Sequence, residues 1–301
     1  MIDDFDDFCL WVFYIVDEIW QQIEPRFERR GPKPECSDSE LMAMALIGEC
    51  RGWDVETEML SYWQEHRDLF PQIPSQSRFN RRRRNLMQAF NLVRLAILEM
   101  LELAQDGQCV IDSLPIPVVQ FHWAPNASSE WKVRGATFGK CASKKITIFG
   151  YKLHILTTLN GIIIDFVLAP ANEHDLTVGY ELLAEHHHLD VLGDKGYVSK
   201  EVAEALKNTN NICLFAMPRR NQKAQWPEPV RKLFNKVRQI IETVNGQLTE
   251  QFNIETNHAH TFWGLCTRLL TKLAAHTLCI HINRLLGHSN CLQVKPLAFP
   301  I

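Results

Sequence analysis

The sequence has no apolar stretch long enough to cross a membrane. Its longest strongly apolar run, Phe8–Val16, is closed on both sides by Asp7 and Asp17 and falls well short of the roughly 20 residues of a spanning helix. A basic, small-residue leader pattern is also missing, since the chain opens with Asp3, Asp4, Asp6 and Asp7. These absences make the cytoplasm the expected location, with no membrane partner. The nine cysteines (Cys9, Cys36, Cys50, Cys109, Cys141, Cys213, Cys266, Cys279 and Cys291) include no C-x-x-C pair. An odd count without that spacing predicts neither a disulfide framework nor a thiolate zinc site, and reduced core residues are expected. His186, His187 and His188, and the pair His258 and His260, lack Cys or carboxylate partners at ligand spacing and are not read as metal ligands. No repeat or low-complexity tract occurs. A chain of 301 residues that is 46% hydrophobic and 22% charged is neither disordered nor fibrous, and it can bury one large core or two smaller ones.

The net charge of -3 conceals an asymmetry. Residues 1–70 carry 6 Lys and Arg against 17 Asp and Glu, whereas residues 71–155 carry 12 against 5. The basic middle contains R-F-N-R-R-R-R at 78–84, followed by Lys132, Arg134, Lys140, Lys144, Lys145 and Lys152. Such a band suits a phosphate backbone.

Phe5, Phe8, Val12, Ile15, Ile19 and Ile23 recur at three and four residues, which predicts an amphipathic helix ending near Pro25. Ser37 and Glu40 form a capping-box pattern ahead of a second helix, and a third runs to about Phe70. Ser75 is placed to cap a long helix over about 76–103, with Phe79, Leu86, Phe90, Val93, Ile97 and Met100 as its apolar stripe. The first turns of that helix carry Arg78, Arg81, Arg82 and Arg84. A helical domain whose third long helix opens on a basic turn has the order of a helix-turn-helix reader of DNA. Arginines this close repel one another and gain most from bound phosphates.

From Cys109 the pattern changes to strands. C-V-I-D-S-L-P ends an apolar run at Asp112, and two further apolar runs flank Asn160-Gly161, a pair favoured in type I′ hairpin turns. A helix near 175–186, a strand delivering Asp194, a helix near 200–207 and a strand through I-C-L-F-A-M follow. A long helix near 230–252 carries Glu242, and a last one covers about 263–286. Three strands followed by alternating helix and strand predict an α/β fold: a ribonuclease-H-like mixed sheet flanked by helices, preceded by an all-α, helix-turn-helix-like domain. The expected division is residues 1–105 for the helical DNA-binding domain and 106–301 for the catalytic domain.

Carboxylates at the ends of apolar strands are expensive to bury unless a cation compensates them. Asp112 ends the first strand and Asp194 lies just beyond the fourth, so neighbouring strands would bring them together, with Glu242 approaching from its helix. Three oxygen donors with open positions suit Mg²⁺ or Mn²⁺. Two such ions can stabilise the attacking and leaving oxygens of an in-line phosphoryl displacement.

I-D-S-L-P at 111–115, F-G-Y-K-L-H at 149–154, P-A-N-E-H-D at 170–175, G-D-K-G-Y at 193–197 and R-Q-I-I-E-T at 238–243, in this order, resemble a DDE transposase of a bacterial insertion sequence. The similarity is to the 982-type branch. It covers nearly the whole chain, including F-P-Q-I-P-S-Q-S-R-F-N-R-R-R-R upstream. The resemblance implies that Asp112, Asp194 and Glu242 are the catalytic triad and hold the metal. It departs from related transposases in which Tyr, Arg, Glu and Lys surround the final carboxylate. Arg238 and Glu242 fit, but Asn235 and Thr249 stand where the Tyr and Lys would be.

The implied activity is binding of the element's inverted-repeat ends, cleavage of DNA and joining of the 3′-hydroxyls to target DNA, in a homodimer or larger assembly. Arg238, one helical turn before Glu242, is placed to hold either a scissile phosphate or Glu242 itself, the phosphate being favoured. Lys152 is read as a DNA-backbone contact, and for His154 a core hydrogen bond serves equally well. Asn172 or Asp175 is placed to cap a helix, and Asp175 is not read as a metal ligand. Two rivals are a transposon-derived repressor that binds without cutting and an HD-type phosphohydrolase using His154, His174, Asp175 and Asp194. The second places His154 on a strand, where such sites use helices.

Overall fold

Local signals account for the first elements. The Ser37 hydroxyl accepts from the Glu40 amide while the Glu40 carboxylate accepts from the Ser37 amide, a complete capping box. In the computed structural model, which describes Ile2 and residues 4–28, 31–102, 107–141, 145–218 and 226–299, the helices before the sheet are α1 (Phe5–Ile23), α2 (Asp38–Cys50), α3 (Glu56–Glu65), α4 (Gln76–Asn85) and α5 (Met87–Leu101). Then come β1 (Gln108–Val119), α6 (Ser129–Val133), β2 (Thr137–Cys141), β3 (Ile146–Thr158), β4 (Ile163–Pro170), α7 (Asp175–Ala184), β5 (Asp190–Gly193), α8 (Lys200–Asn210), β6 (Cys213–Ala216), α9 (Glu228–Glu250) and α10 (Phe262–Leu285). No described helix is long and apolar enough to cross a membrane.

Three expectations change. The long helix over 76–103 is two helices, broken at Leu86, whose backbone leaves helical geometry. The stripe keeps its phase across the break, with Phe79, Leu86, Phe90, Val93 and Ile97 buried, but its last buried position is Leu101, four residues after Ile97, and Met100 is 45% exposed; the expected end at 103 lies outside the described residues. The hairpin between β3 and β4 is not a type I′ turn, because Asn160 has no positive φ while Gly161 has φ 77°. Gly161 N donates to the Thr158 carbonyl and Thr158 N to that of Ile162, which makes a three-residue loop closed by a left-handed glycine. β2, hidden in a polar stretch, pairs antiparallel with the start of β3. Cβ atoms at its Gly139 would lie 2.0 Å from the Ala171 carbonyl oxygen.

The fold is α/β. Among the described residues the sheet has six strands in the order β2-β3-β1-β5-β6, with β4 also paired to β3. β1 is antiparallel to β3 and parallel to β5, and β6 is parallel to β5. Cys109, Ile111, Leu156 and Val191 from the strands meet Leu182, Leu183 and Leu206 from α7 and α8 in one core.

The chain forms two compact units, Met1–Leu101 with Gln247–Ile301, and Glu102–Gly246. The first boundary falls near the expected 105, but the last residues join the helical unit, because α10 packs against α5 and α2. This unit buries an ionic network. Arg83 Nη2 meets Glu49 at 2.5 Å, Lys272 Nζ meets Glu49 at 2.5 Å and the Phe252 carbonyl at 2.6 Å, and Glu56 accepts from Arg83 and Asn80. Burial alone would raise the Glu49 carboxyl, but Lys272 and Arg83 hold it below the usual range.

Removing one partner of such a network strands the others. Glu49→Ala is expected to cost roughly 3–5 kcal/mol in urea unfolding. Lys232→Ala, which breaks the exposed Lys232–Glu228 pair, should change stability by less than about 1 kcal/mol. Equal effects would mean that Glu49 is not the centre of the network.

Candidate active site

The parallel register of β1 and β5 pairs Ile111 with Gly193, so Asp112 and Asp194 follow side by side; Asp194 lies just beyond β5, but Asp112, expected at a strand end, sits within β1, which pairs with β3 as far as Val119. Ile111 belongs to the core beneath α7. Asp112, next along the strand, therefore points the opposite way, where Asn245 of α9 donates Nδ2 to its Oδ2 at 3.0 Å. Asp112 Oδ1 accepts from the Ser113 amide at 2.9 Å. Burial, then the charges of Asp194 and Asp175, push the Asp112 carboxyl up to about 6, against the lowering pull of the Ser113 amide and Arg238.

Asp194 caps a 3-10 turn, Lys195–Tyr197, with Oδ1 accepting from Gly196 N at 2.7 Å. A Cβ at position 196 would lie 2.9 Å from Asp194 Oδ1 and 3.2 Å from Asp175 Oδ2, so glycine there lets the start of α7 approach the turn. Asp175 does not cap α7, whose N-cap is His174. It pairs with Lys152 Nζ at 2.8 Å, and Lys152 also donates to the Glu173 carbonyl. Asn172 exchanges hydrogen bonds with Thr137. His154 is buried, its Nδ1 is 3.3 Å from the Tyr197 hydroxyl, and burial pushes it down to about 4. It is neutral at physiological pH.

Glu242 stands apart from the aspartates. Its carboxylate, 57% exposed, meets Arg238 Nη2 at 3.3 Å. Among the described residues no three His, Cys, Asp or Glu side chains are gathered closely enough to hold a metal ion; this covers the set His154, His174, Asp175 and Asp194 as well as the triad. Arg238, Glu242 and Asn245 nevertheless share one face of α9 at spacings of four and three. The outer two act on Asp112, one by charge and one by hydrogen bond.

In the helical unit the candidate arginines separate into two groups. Arg78, Arg81 and Arg84 are exposed. Arg82 is bound to Asp38 at 2.6 Å, and Arg83 is buried in the ionic network. Lys132, Arg134, Lys140 and Lys145 lie in the other unit, while Lys144 is outside the described residues. His186 pairs with Asp165 and His258 with Asp54.

Sequence reasoning missed Asn245. The available signal was its position three residues beyond Glu242, on the same helical face; in the structure its Oδ1 is buried with no hydrogen-bond partner among the described residues. Two carboxylates beside a third negative charge are a donor set that a divalent cation would relieve, so Asp112 and Asp194 fit Mg²⁺ or Mn²⁺.

An Asp whose pKa is higher in the folded than in the unfolded chain stabilises the fold while protonated. That stability is lost as the pH rises from about 4 through about 6. The shift corresponds to roughly 3 kcal/mol. Asp112→Asn should therefore melt roughly 5 °C above wild type at neutral pH without divalent ions, and close to it at acid pH. Added Mg²⁺ should raise the wild-type melting temperature more than that of the variant. A difference that does not vary with pH would remove the buried Asp112 charge as its cause.

Residues 104–278 match the family model described as the transposase DDE domain. No curated protein and no solved structure matches the chain.

Proposed function

The chain belongs to the transposase DDE domain family, and from that premise we propose that it binds the inverted-repeat ends of an insertion sequence of the 982-type branch, cleaves the DNA and joins the 3′-hydroxyls to target DNA. The observation that carries this reading is the adjacency of Asp112 and Asp194 imposed by the β1/β5 register. Three antiparallel strands continued by two parallel ones support a ribonuclease-H-like catalytic unit. The exposed Arg78, Arg81 and Arg84 support α4 as a helix-turn-helix-like contact to double-stranded DNA.

In this reading Asp112 and Asp194 hold Mg²⁺ or Mn²⁺, two ions in the full site, and Glu242 joins them by turning away from Arg238. Bound metal supplies stabilisation of the attacking and leaving oxygens of an in-line displacement. Asn245 orients Asp112 through its amide. Arg238, released from Glu242, is free to grip the scissile phosphate with two parallel donors. Lys152, already fixed by Asp175, meets the backbone. A substrate with two ends implies a homodimer or larger assembly at joining.

The Arg238–Glu242 pair also favours a second reading, a transposon-derived protein that binds ends without cutting them. One experiment separates the two. The purified chain is incubated with a labelled element end and Mg²⁺ or Mn²⁺, and binding and strand cleavage are read together. Cleavage is expected for wild type. Asp112→Ala, Asp194→Ala and Glu242→Ala should each lose it by orders of magnitude while keeping end affinity. Arg238→Lys should cleave at an intermediate rate and Arg238→Ala very slowly, both with native melting temperature. Binding without cleavage by wild type establishes the second reading.

A further inference from the structure

The helical unit contains a pocket of about 400 Å³ lined by Glu56, Asn80, Arg83, Arg84, His260 and Arg268. Behind its wall, three cations meet two carboxylates. Arg83, Arg268 and Lys272 pair with Glu49 and Glu56, and none of these side chains is more than 13% exposed. Burial, then the neighbouring Arg83 charge, hold Arg268 below its usual range. The next carboxylate, Asp54, is 29% exposed at the rim and faces His258, while its backbone carbonyl accepts from Arg268 Nη1. Arg84 adds a further exposed cation with no ion pair among the described residues. Asp54, Glu49 and Glu56 against Arg83, Arg84, Arg268 and Lys272 leave the pocket net positive. Arg83 Nε is buried there without a hydrogen-bond partner among the described residues, and α10 starts at the pocket edge with its N-terminal partial charge.

A surplus positive charge in a partly desolvated wall is relieved by a bound anion. Several donors around a cavity of this size suit a tetrahedral oxyanion carrying one charge, which is the state of a phosphodiester. One side of the pocket is α4, through Gln76, Asn80, Arg83 and Arg84, and α4 also carries the exposed Arg78 and Arg81.

We propose that this pocket takes one backbone phosphate of the bound DNA, with Arg84 of α4 and Arg268 of α10 as its cationic contacts. The proposal rests on the reading that α4 lies against DNA. It adds that the C-terminal helix α10 takes part in that contact, although it is distant in sequence.

The test uses the full chain in two arms. In the first, melting temperature is measured with inorganic phosphate and with chloride at equal ionic strength. In the second, affinity for a double-stranded oligonucleotide is measured across a salt series. Gln76→Glu places a negative charge at the pocket, and at the first position of α4 that charge favours the helix, so the variant folds even if Arg268→Gln does not. Phosphate is expected to stabilise wild type beyond chloride, and both variants should lose that effect. Each should also lower the slope of log K against log salt by about 0.9, in addition to the loss from Arg78→Ala. An unchanged slope in both variants, with Arg78→Ala lowering it, overturns the proposal and leaves α4 as the DNA contact. Phosphate protection with unchanged slopes makes the pocket a small-anion site and overturns the backbone assignment. Lower slopes in the pocket variants, with Arg78→Ala and Arg81→Ala without effect, keep the pocket and remove the basic turn of α4.

Discussion

Two like charges held side by side where β5 ends against the middle of β1 are the constraint around which the sheet-bearing unit is arranged. Apolar strands with large buried side chains fix the register that puts Ile111 opposite Gly193. The next residue on each strand is an aspartate, and the sheet offers no way to separate them. Asp175 adds to the cost of the pair, and four other neighbours reduce it. The Ser113 and Gly196 amides point at the carboxylates, Asn245 donates to one of them, and the positive charge of Arg238 favours the ionised Asp112. Asp112 remains raised to about 6, so the compensation is incomplete. A site left short of positive charge is one that a divalent cation would relieve.

The helical unit has the opposite imbalance. Its buried network holds more cations than carboxylates, and two arginines of the basic run are consumed by that network and by Asp38. The remaining ones, Arg78, Arg81 and Arg84, stay exposed. The charge asymmetry of the sequence is thus resolved in space. Much of the acid in residues 1–70 that balances the arginine run is inside the same unit, on Asp38, Glu49 and Glu56.

The α/β class, most of the succession of elements and Asp194 just beyond its strand were legible in the sequence because each depends on neighbours a few residues away, whereas Asp112, expected at a strand end, lies within β1, which pairing with β3 extends to Val119. Alternation, helical periodicity and the Ser37 capping box are local patterns. Where the local pattern was ambiguous, the outcome differed. Asn160-Gly161 fits more than one tight hairpin, and the strand twist selected the loop with a single left-handed glycine. β2 carries a glycine and a lysine where a strand pattern would have apolar residues, and pairing with β3 makes it a strand.

The sequence by itself determined which residue types could carry phosphoryl chemistry and where along the chain they stand, because apolar runs fix strands and an aspartate that interrupts or follows such a run is visible as such. Tertiary structure alone decided which charges remain available. It paired Arg82 with Asp38 and Arg83 with Glu49, brought Asn245 onto Asp112 and returned α10 to the helical unit. The physical reason is that periodicity reports which face of an element is buried and carries no information about what buries it. An ion pair between residues far apart in the chain exists only once packing has set its distance.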